Sequence, residues 1–244
     1  MAEKKDKQVT FKIEGRSYEG LHEESLLGAL RRYGYVVPSL CYHEAVSSYG
    51  ACRLCLVEVK KGKRQKLTTS CNYPVLEGIE VFLDTPKVIE HRKLILQLLM
   101  AMAPAARQVT ELAAEYGVTE TPFVKDEGQE CIKCGLCSRV CKELVGADAI
   151  GFSGRGLAKQ MVSPYDEANQ ACIGCAACVV VCPTDCIGLK EDDHVRSIVR
   201  WHRDLPMHKC DKCGRAFAPT FLLTHFAKQI KVDKSFFDSC PDCR

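Results

Sequence analysis

No stretch of this sequence is apolar for long enough to cross a bilayer; the longest candidate, Leu94 to Ala106, is interrupted by Gln97 and Pro104. The first residues, Met1 to Gln8, are polar and lysine-rich and lack the apolar core of a secretion signal. The expectation is a cytoplasmic protein that does not span a membrane. The sequence also lacks a Gly-x-Gly-x-x-Gly fingerprint for a dinucleotide, and it lacks a P-loop. The chain should therefore neither bind NAD nor transfer hydride by itself. With 46% hydrophobic and 27% charged residues in 244, the composition is that of a globular protein of one large or several small domains.

What the sequence has in excess is cysteine, 17 residues in all. Disulfides require an oxidising compartment, to which nothing here points, and an odd number cannot all pair. Most of these cysteines stand in Cys-x-x-Cys pairs, which favours chelation of metal over a structural disulfide. The formal charge of +3 counts the thiols as neutral, although ligand thiols are deprotonated. A four-thiolate site carries roughly −2, so four such sites bring the balance to about −5. Lys60, Lys61, Lys63, Arg64 and Lys66 surround Gly62 and read as a solvated hairpin, so no nucleic-acid partner is expected.

The pattern along the chain divides it into four parts, 1–85, 86–125, 126–192 and 193–244. In the first, Gln8 to Ile13 alternates apolar and polar residues, Glu14-Gly15 turns the chain, and Ser17 to Leu21 continues as a partner strand. Ser25 is placed to cap a helix through Tyr33, with Leu26, Leu27 and Leu30 on one face and Gly34 as its stop. Leu54 to Lys60, Lys66 to Cys71, and the alternation Ile79, Val81, Leu83 predict three further strands. Strands wrapped on one helix, with cysteines in the loops, make a small α+β domain. In the second part Val88, Ile89, Leu94, Ile95, Leu98 and Leu99 recur at helical spacing, and a second helix should run from Ala105 to Tyr116, ending at Gly117. The third part is cysteine-dense with little room for regular structure. The fourth begins as a polar linker at His194.

Residues 126–192 contain an internal repeat. Cys131, Cys134, Cys137 and Cys141 form Cys-x2-Cys-x2-Cys-x3-Cys, and so do Cys172, Cys175, Cys178 and Cys182, the second followed by Pro183. This is the run of bacterial two-cluster ferredoxins, in which three close thiolates wrap one 4Fe-4S cubane and the fourth ligates the other. One 4Fe-4S cluster is therefore assigned to Cys131, Cys134, Cys137 and Cys182, and a second to Cys141, Cys172, Cys175 and Cys178. Gly135, Gly174 and Ala176 leave room for the sulfides and free backbone N–H groups. Lys142 stands where the ferredoxin run has a proline. Cys186 is left over and reads as a small residue beside the cluster.

The N-terminal cysteines, Cys41, Cys52, Cys55 and Cys71, are spaced Cys-x10-Cys-x2-Cys-x15-Cys, unlike the plant-type ferredoxin loop. Pro38-Ser39-Leu40-Cys41-Tyr42-His43 and Gly50-Ala51-Cys52-Arg53-Leu54-Cys55-Leu56-Val57-Glu58-Val59 resemble the 2Fe-2S domain of the large iron–sulfur subunit of complex I. They equally resemble its relatives in NAD-reducing hydrogenases, formate dehydrogenases and electron-bifurcating complexes. The resemblance covers about residues 8 to 190. It implies a β-grasp ferredoxin fold for 1–85, one 2Fe-2S cluster on Cys41, Cys52, Cys55 and Cys71, a helical connector, and a two-4Fe-4S ferredoxin domain. In many of these relatives the connector carries a further cluster on one histidine and three cysteines. Here the matching His91 has no cysteine between Cys71 and Cys131 to join it, so that cluster should be absent. The domain that follows in complex I should be missing too, and both expected departures place the chain nearer the short diaphorase-type subunits.

The tail adds Cys210-Asp211-Lys212-Cys213-Gly214 and Cys240-Pro241-Asp242-Cys243. Two such knuckles suit tetrahedral sulfur coordination, and structural zinc is the expectation; a third 4Fe-4S cluster is the alternative, since both take four thiolates. His208 and His225 are near enough in sequence to substitute. Trp201, Phe217, Phe221, Leu222, Leu223 and Phe226 read as the tail's core. The chain should be an electron-relay subunit without a substrate site of its own. By the resemblance, its partners are an FMN- and NAD(P)H-binding flavoprotein subunit and a second catalytic redox subunit. A free-standing multi-cluster carrier is the alternative.

Overall fold

The computed structural model describes residues 7–244, which divide after Cys134 into two compact units. In the first, β1 (Gln8–Ile13) and β2 (Arg16–Leu21) pair as a hairpin through Glu14 and Gly15. Then come α1 (Leu26–Arg32), a long cysteine-bearing loop, the hairpin of β3 (Leu56–Lys61) and β4 (Arg64–Thr69), and the short β5 (Glu80–Phe82). The sheet order is β2-β1-β5-β3-β4, with β5 parallel to β1 and antiparallel to β3. This is the expected β-grasp. Its core is built by strand alternation: Val9, Phe11 and Ile13 of β1 turn inward, beside Val57, Val59 and Val81, against Leu26, Leu27 and Leu30 of α1.

Two local expectations are corrected. Ser25 occupies the cap position of α1 but its side chain makes no capping bond; its hydroxyl donates to the Cys71 carbonyl at 3.2 Å. A tertiary partner has won over the local one, and it ties α1 to a predicted ligand. The strand over Ile79–Leu83 is also shorter than its alternation suggests, although Ile79, Val81 and Leu83 are all buried.

The connector is α2 (Pro86–Met102) and α3 (Arg107–Glu115), with Gly117 in a left-handed turn after α3. Thr85 caps α2 by accepting the Val88 N–H at 3.2 Å, and Pro86 fills the first turn, so the helix starts well before His91. Its inner face is Val88, Arg92, Leu96, Leu99 and Met100, whereas Leu94 and Leu98 are exposed. The apolar stripe read from the sequence is thus only partly the buried one, because Arg92 takes a core position. Arg92 is 1% exposed. Its guanidinium donates to Asp84 Oδ1 at 2.8 Å, to the Leu56 carbonyl at 2.7 Å and to the Tyr116 hydroxyl at 3.4 Å, joining β3, α2 and the end of α3. Arg92→Ala should lower the unfolding free energy by roughly 2–4 kcal/mol, through lost stem packing and a buried carbonyl without its donor. Urea unfolding of the full chain, followed by the 2Fe-2S absorption, checks this.

In the second unit α4 (Leu136–Arg139) carries Cys137, and a π-helical turn, Val140–Leu144, carries Cys141. The insert between the two cysteine runs holds a small hairpin, β6 (Gly151–Ser153) and β7 (Gln160–Val162). After it, α5 (Ala177–Val180) carries Cys178. The repeat in sequence is a repeat in backbone. Lys133 and Gly174 both have positive φ, as do Gly135 and Ala176, the residues that precede α4 and α5. The stretch expected to be a polar linker is instead strand. β8 (Leu189–Glu191), β9 (Val195–Ile198), β10 (Arg203–Lys209) and β11 (Ala216–Pro219) form an antiparallel sheet ordered β11-β10-β9-β8, and α6 (Thr220–Ile230) follows.

Candidate metal centres

Cys41, Cys52, Cys55 and Cys71 are all buried beneath the β-grasp loop. They form two pairs. The Cys52 N–H points at Cys41 Sγ at 3.4 Å, and the Leu40 N–H points at Cys52 Sγ at 3.4 Å. Ser70 gives both its N–H (2.8 Å) and its hydroxyl (2.9 Å) to the Cys55 carbonyl, which holds Cys71 against Cys55. Hydrogen bonding from the partner thiol takes Cys55 down to about 6, while the same pairing and burial push Cys71 well above the thiol range. The Cys41 thiol and burial likewise push Cys52 up. Within each pair one sulfur keeps its proton for the other. Four buried thiols cannot all ionise together unless cations stand among them. Two adjacent pairs suit two irons, each taking two thiolates. Left-handed Gly50 lies over this loop so closely that a Cβ would fall 2.6 Å from Asn72 Nδ2.

In the second unit Cys141, Cys172, Cys175 and Cys178 line one largely apolar cavity, with Ala147, Ala149, Ile150, Ile198 and Trp201 also in its wall. Cys141 thus meets the triplet of the other copy of the repeat. The Ala149 N–H donates to Cys141 Sγ at 3.3 Å, and the Trp201 indole N–H donates to Cys178 Sγ at 3.3 Å. Burial, with Cys175, Cys172 and Cys141 close by, pushes Cys178 up to about 12. Four inward thiols, peptide and indole donors aimed at sulfur, and a dry wall fit a 4Fe-4S cluster.

The other predicted quartet is Cys131, Cys134, Cys137 and Cys182. Cys131 and Cys134 are the last cysteines of the first unit. In the second unit, Cys137 belongs to an apolar cluster with Ile150, Met161, Ile187, Ile198 and Trp201, and Cys182 packs against it. Cys186 stands 3.5 Å from Cys182 Sγ, and hydrogen bonding from its thiol holds Cys182 down at about 5.

In the tail, Cys210, Cys213, Cys240 and Cys243 converge, with all four sulfurs within 4.8 Å of one another. The knuckle is shaped by the Cys210 N–H on the Arg215 carbonyl (3.0 Å), the Gly214 N–H on the Cys210 carbonyl (2.8 Å) and Gly214 at positive φ. The Cys240 N–H donates to Cys210 Sγ at 3.2 Å and holds that thiol down at about 6. Arg215 bridges Asp242 and reaches toward Cys240 Sγ. His208 and His225 stand outside this group of sulfurs. His91 is exposed on α2, its Nδ1 2.7 Å from the Lys87 carbonyl.

Sequence reasoning missed two residues at these sites. Ser70 orders the Cys55–Cys71 pair, and its only signal is adjacency to Cys71. Trp201, a tail-core residue by its place in the sequence, instead walls the cavity of the second unit.

A family model for a 2Fe-2S iron–sulfur cluster binding domain matches residues 6–86, and one for a 4Fe-4S dicluster domain matches residues 124–189. The chain is 30% identical over 200 residues to the NADPH-Fe(3+) oxidoreductase subunit alpha of Geobacter sulfurreducens, covering 72% of this chain and 23% of that one. It is 29% identical over 172 residues to the NADH-ubiquinone oxidoreductase 75 kDa subunit of Reclinomonas americana, covering 61% and 25%. To the NADP-reducing hydrogenase subunit HndD of Solidesulfovibrio fructosivorans it is 27% identical over 225 residues, covering 78% and 37%. The chain therefore spans about a quarter to a third of the length of these curated relatives. Among solved structures, an NAD+-reducing [NiFe]-hydrogenase chain superposes with a TM-score of 0.56 at 26% identity, covering 64% of this chain and 74% of that one. No helix among the described residues is long and apolar enough to cross a membrane. The chain is an iron–sulfur protein carrying a 2Fe-2S cluster binding domain followed by a 4Fe-4S dicluster domain, homologous to subunits of NAD(P)H-linked oxidoreductases of the hydrogenase and complex I kind.

Proposed function

We propose that this chain is the iron–sulfur relay subunit of a cytoplasmic, multisubunit NAD(P)H-linked oxidoreductase, moving single electrons between a flavin subunit and another redox module. The observation that carries this reading is the set of buried and half-buried thiols facing inward, in pairs and around an apolar cavity, in a chain with no fingerprint for a nucleotide of its own. Such clusters pass electrons one at a time, while the bond chemistry belongs to the partners. Cys41 with Cys52, and Cys55 with Cys71, hold the two irons of the 2Fe-2S cluster, which faces the flavoprotein. Cys131, Cys134, Cys137 and Cys182 hold one cubane. Cys141, Cys172, Cys175 and Cys178 hold the other.

The tail holds one zinc ion. A single ion bound at about 2.3 Å to four sulfurs sets them about 3.8 Å apart, and Cys213 and Cys240 stand at 3.9 Å. A cubane keeps its four thiolates outside an eight-atom box, further apart than the 4.8 Å limit within which all four lie.

Anaerobic purification with metal and sulfide analysis tests the assignment. About ten irons and one zinc per chain are expected. About fourteen irons would put a third cubane in the tail, and a colourless zinc protein would end the relay reading. Co-purification with an FMN subunit separates the subunit from a free-standing carrier.

A further inference from the structure

The strands that follow the dicluster run lie over the Cys172–Cys178 loop, beyond the residues that the dicluster family covers. Four contacts fix them there. Arg196 Nη1 donates to the Gly174 carbonyl at 2.9 Å, and Arg203 Nε donates to the Cys172 carbonyl at 3.2 Å. Leu205 presses on left-handed Gly174, where an added Cβ would meet its Cδ1 at 2.5 Å. Trp201, 1% exposed and in the turn between β9 and β10, seals the cavity wall and donates its indole N–H to Cys178 Sγ.

We infer that residues 195–209 form a cap that sets the reduction potential of the cubane on Cys141, Cys172, Cys175 and Cys178, with Trp201 as the positioning residue acting through Cys178. The inference rests on that quartet holding a 4Fe-4S cluster. Reduction adds one electron and one negative charge to the cluster. A donor aimed at a ligand sulfur draws off part of that charge and favours the reduced form, so the indole N–H raises the potential. The apolar wall works the other way, because burial disfavours added charge. Removing the donor while keeping the wall isolates the first effect.

The chain has a single tryptophan, so its fluorescence reports on this one site. Trp201→Phe in the full chain should shift the EPR-monitored midpoint of this cubane to more negative potential. A tenfold fall in the ratio of reduced to oxidised cubane at fixed poise, or about 59 mV for one electron, is the expected scale. The 2Fe-2S midpoint should not move. Tryptophan emission of the wild-type chain, quenched when the clusters are loaded, should recover when iron is stripped. Where Phe costs the cluster, a benzothiophene isostere of the indole at position 201 keeps the shape and removes only the N–H; it too should lower the midpoint. An unchanged cubane midpoint in an iron-replete variant overturns the inference, as does an equal shift of every cluster or emission indifferent to loading. Wild-type protein lacking the cubane altogether would instead fail the underlying cluster assignment.

Discussion

Cys141→Ala and Cys172→Ala should strike the same EPR signal, although the two residues belong to different copies of the repeat. Cys131→Ala should strike the other cubane, although Cys131 and Cys141 belong to one copy. The expectation follows from where the chain puts the fourth thiol of the first run. The π-helical turn over Val140–Leu144 directs Cys141 into the cavity lined by Cys172, Cys175 and Cys178. The Ala149 N–H on its sulfur keeps it there. A cubane that loses one of four ligands drops an iron or is lost, and either outcome changes its signal. Double variants sharpen the test. Cys141→Ala with Cys172→Ala should leave one cubane intact, about four irons fewer per chain than wild type, whereas Cys131→Ala with Cys141→Ala should damage both. Uncrossed ligation predicts the reverse pairing, so iron content and EPR of these two double variants separate the alternatives. In every variant the 2Fe-2S signal should persist, since its four thiols lie within the β-grasp domain.

The cysteine chemistry is legible because cluster ligation is written in short spacings. The β-grasp is legible because Gln8–Ile13 and its partner strands alternate cleanly. What cannot be read locally is set by distant partners. Ser25 satisfies the rule for a helix cap, yet its hydroxyl is spent on Cys71, 46 residues away. Arg92 is charged and stands outside the apolar pattern of α2, but its stem is apolar and its two terminal nitrogens find acceptors where β3 and the end of α3 converge. In β10 the alternation of Leu205 and Met207 with Asp204 and Pro206 is present, but a proline inside the run and the charges around it mask a strand. Trp201 resembles tail core because it lies between the dicluster run and the tail; its true contact, Cys178, precedes it by 23 residues.

Stripping the proposed zinc, or replacing Cys240 by serine, should unfold the tail and then weaken the cubane beneath the cap. The tail has little core of its own. Phe221, Phe226, Ile230 and Phe236 are between 41% and 57% exposed, while Cys210 and Cys240 are buried. A module this small needs a staple, and zinc bound to four thiolates contributes on the order of 10 kcal/mol in comparable knuckles. Without it, β11 and α6 should fray. Limited proteolysis should then cut after about Lys209, where intact protein resists. The damage should travel inward along β10, because Arg203 and Leu205 of that strand hold the Cys172–Gly174 segment, and Cys210 follows it directly. Air exposure of the zinc-stripped protein should therefore bleach this cubane faster than in the untreated chain, while the 2Fe-2S absorption decays at its usual rate. A stripped tail that stays protease-resistant would mean that side-chain packing alone holds it. Equal bleaching of all clusters would mean that the cap does not shield this one. The order of events, zinc first and the capped cubane second, follows from the thin core of the tail and from β10 being shared between the tail and the cap.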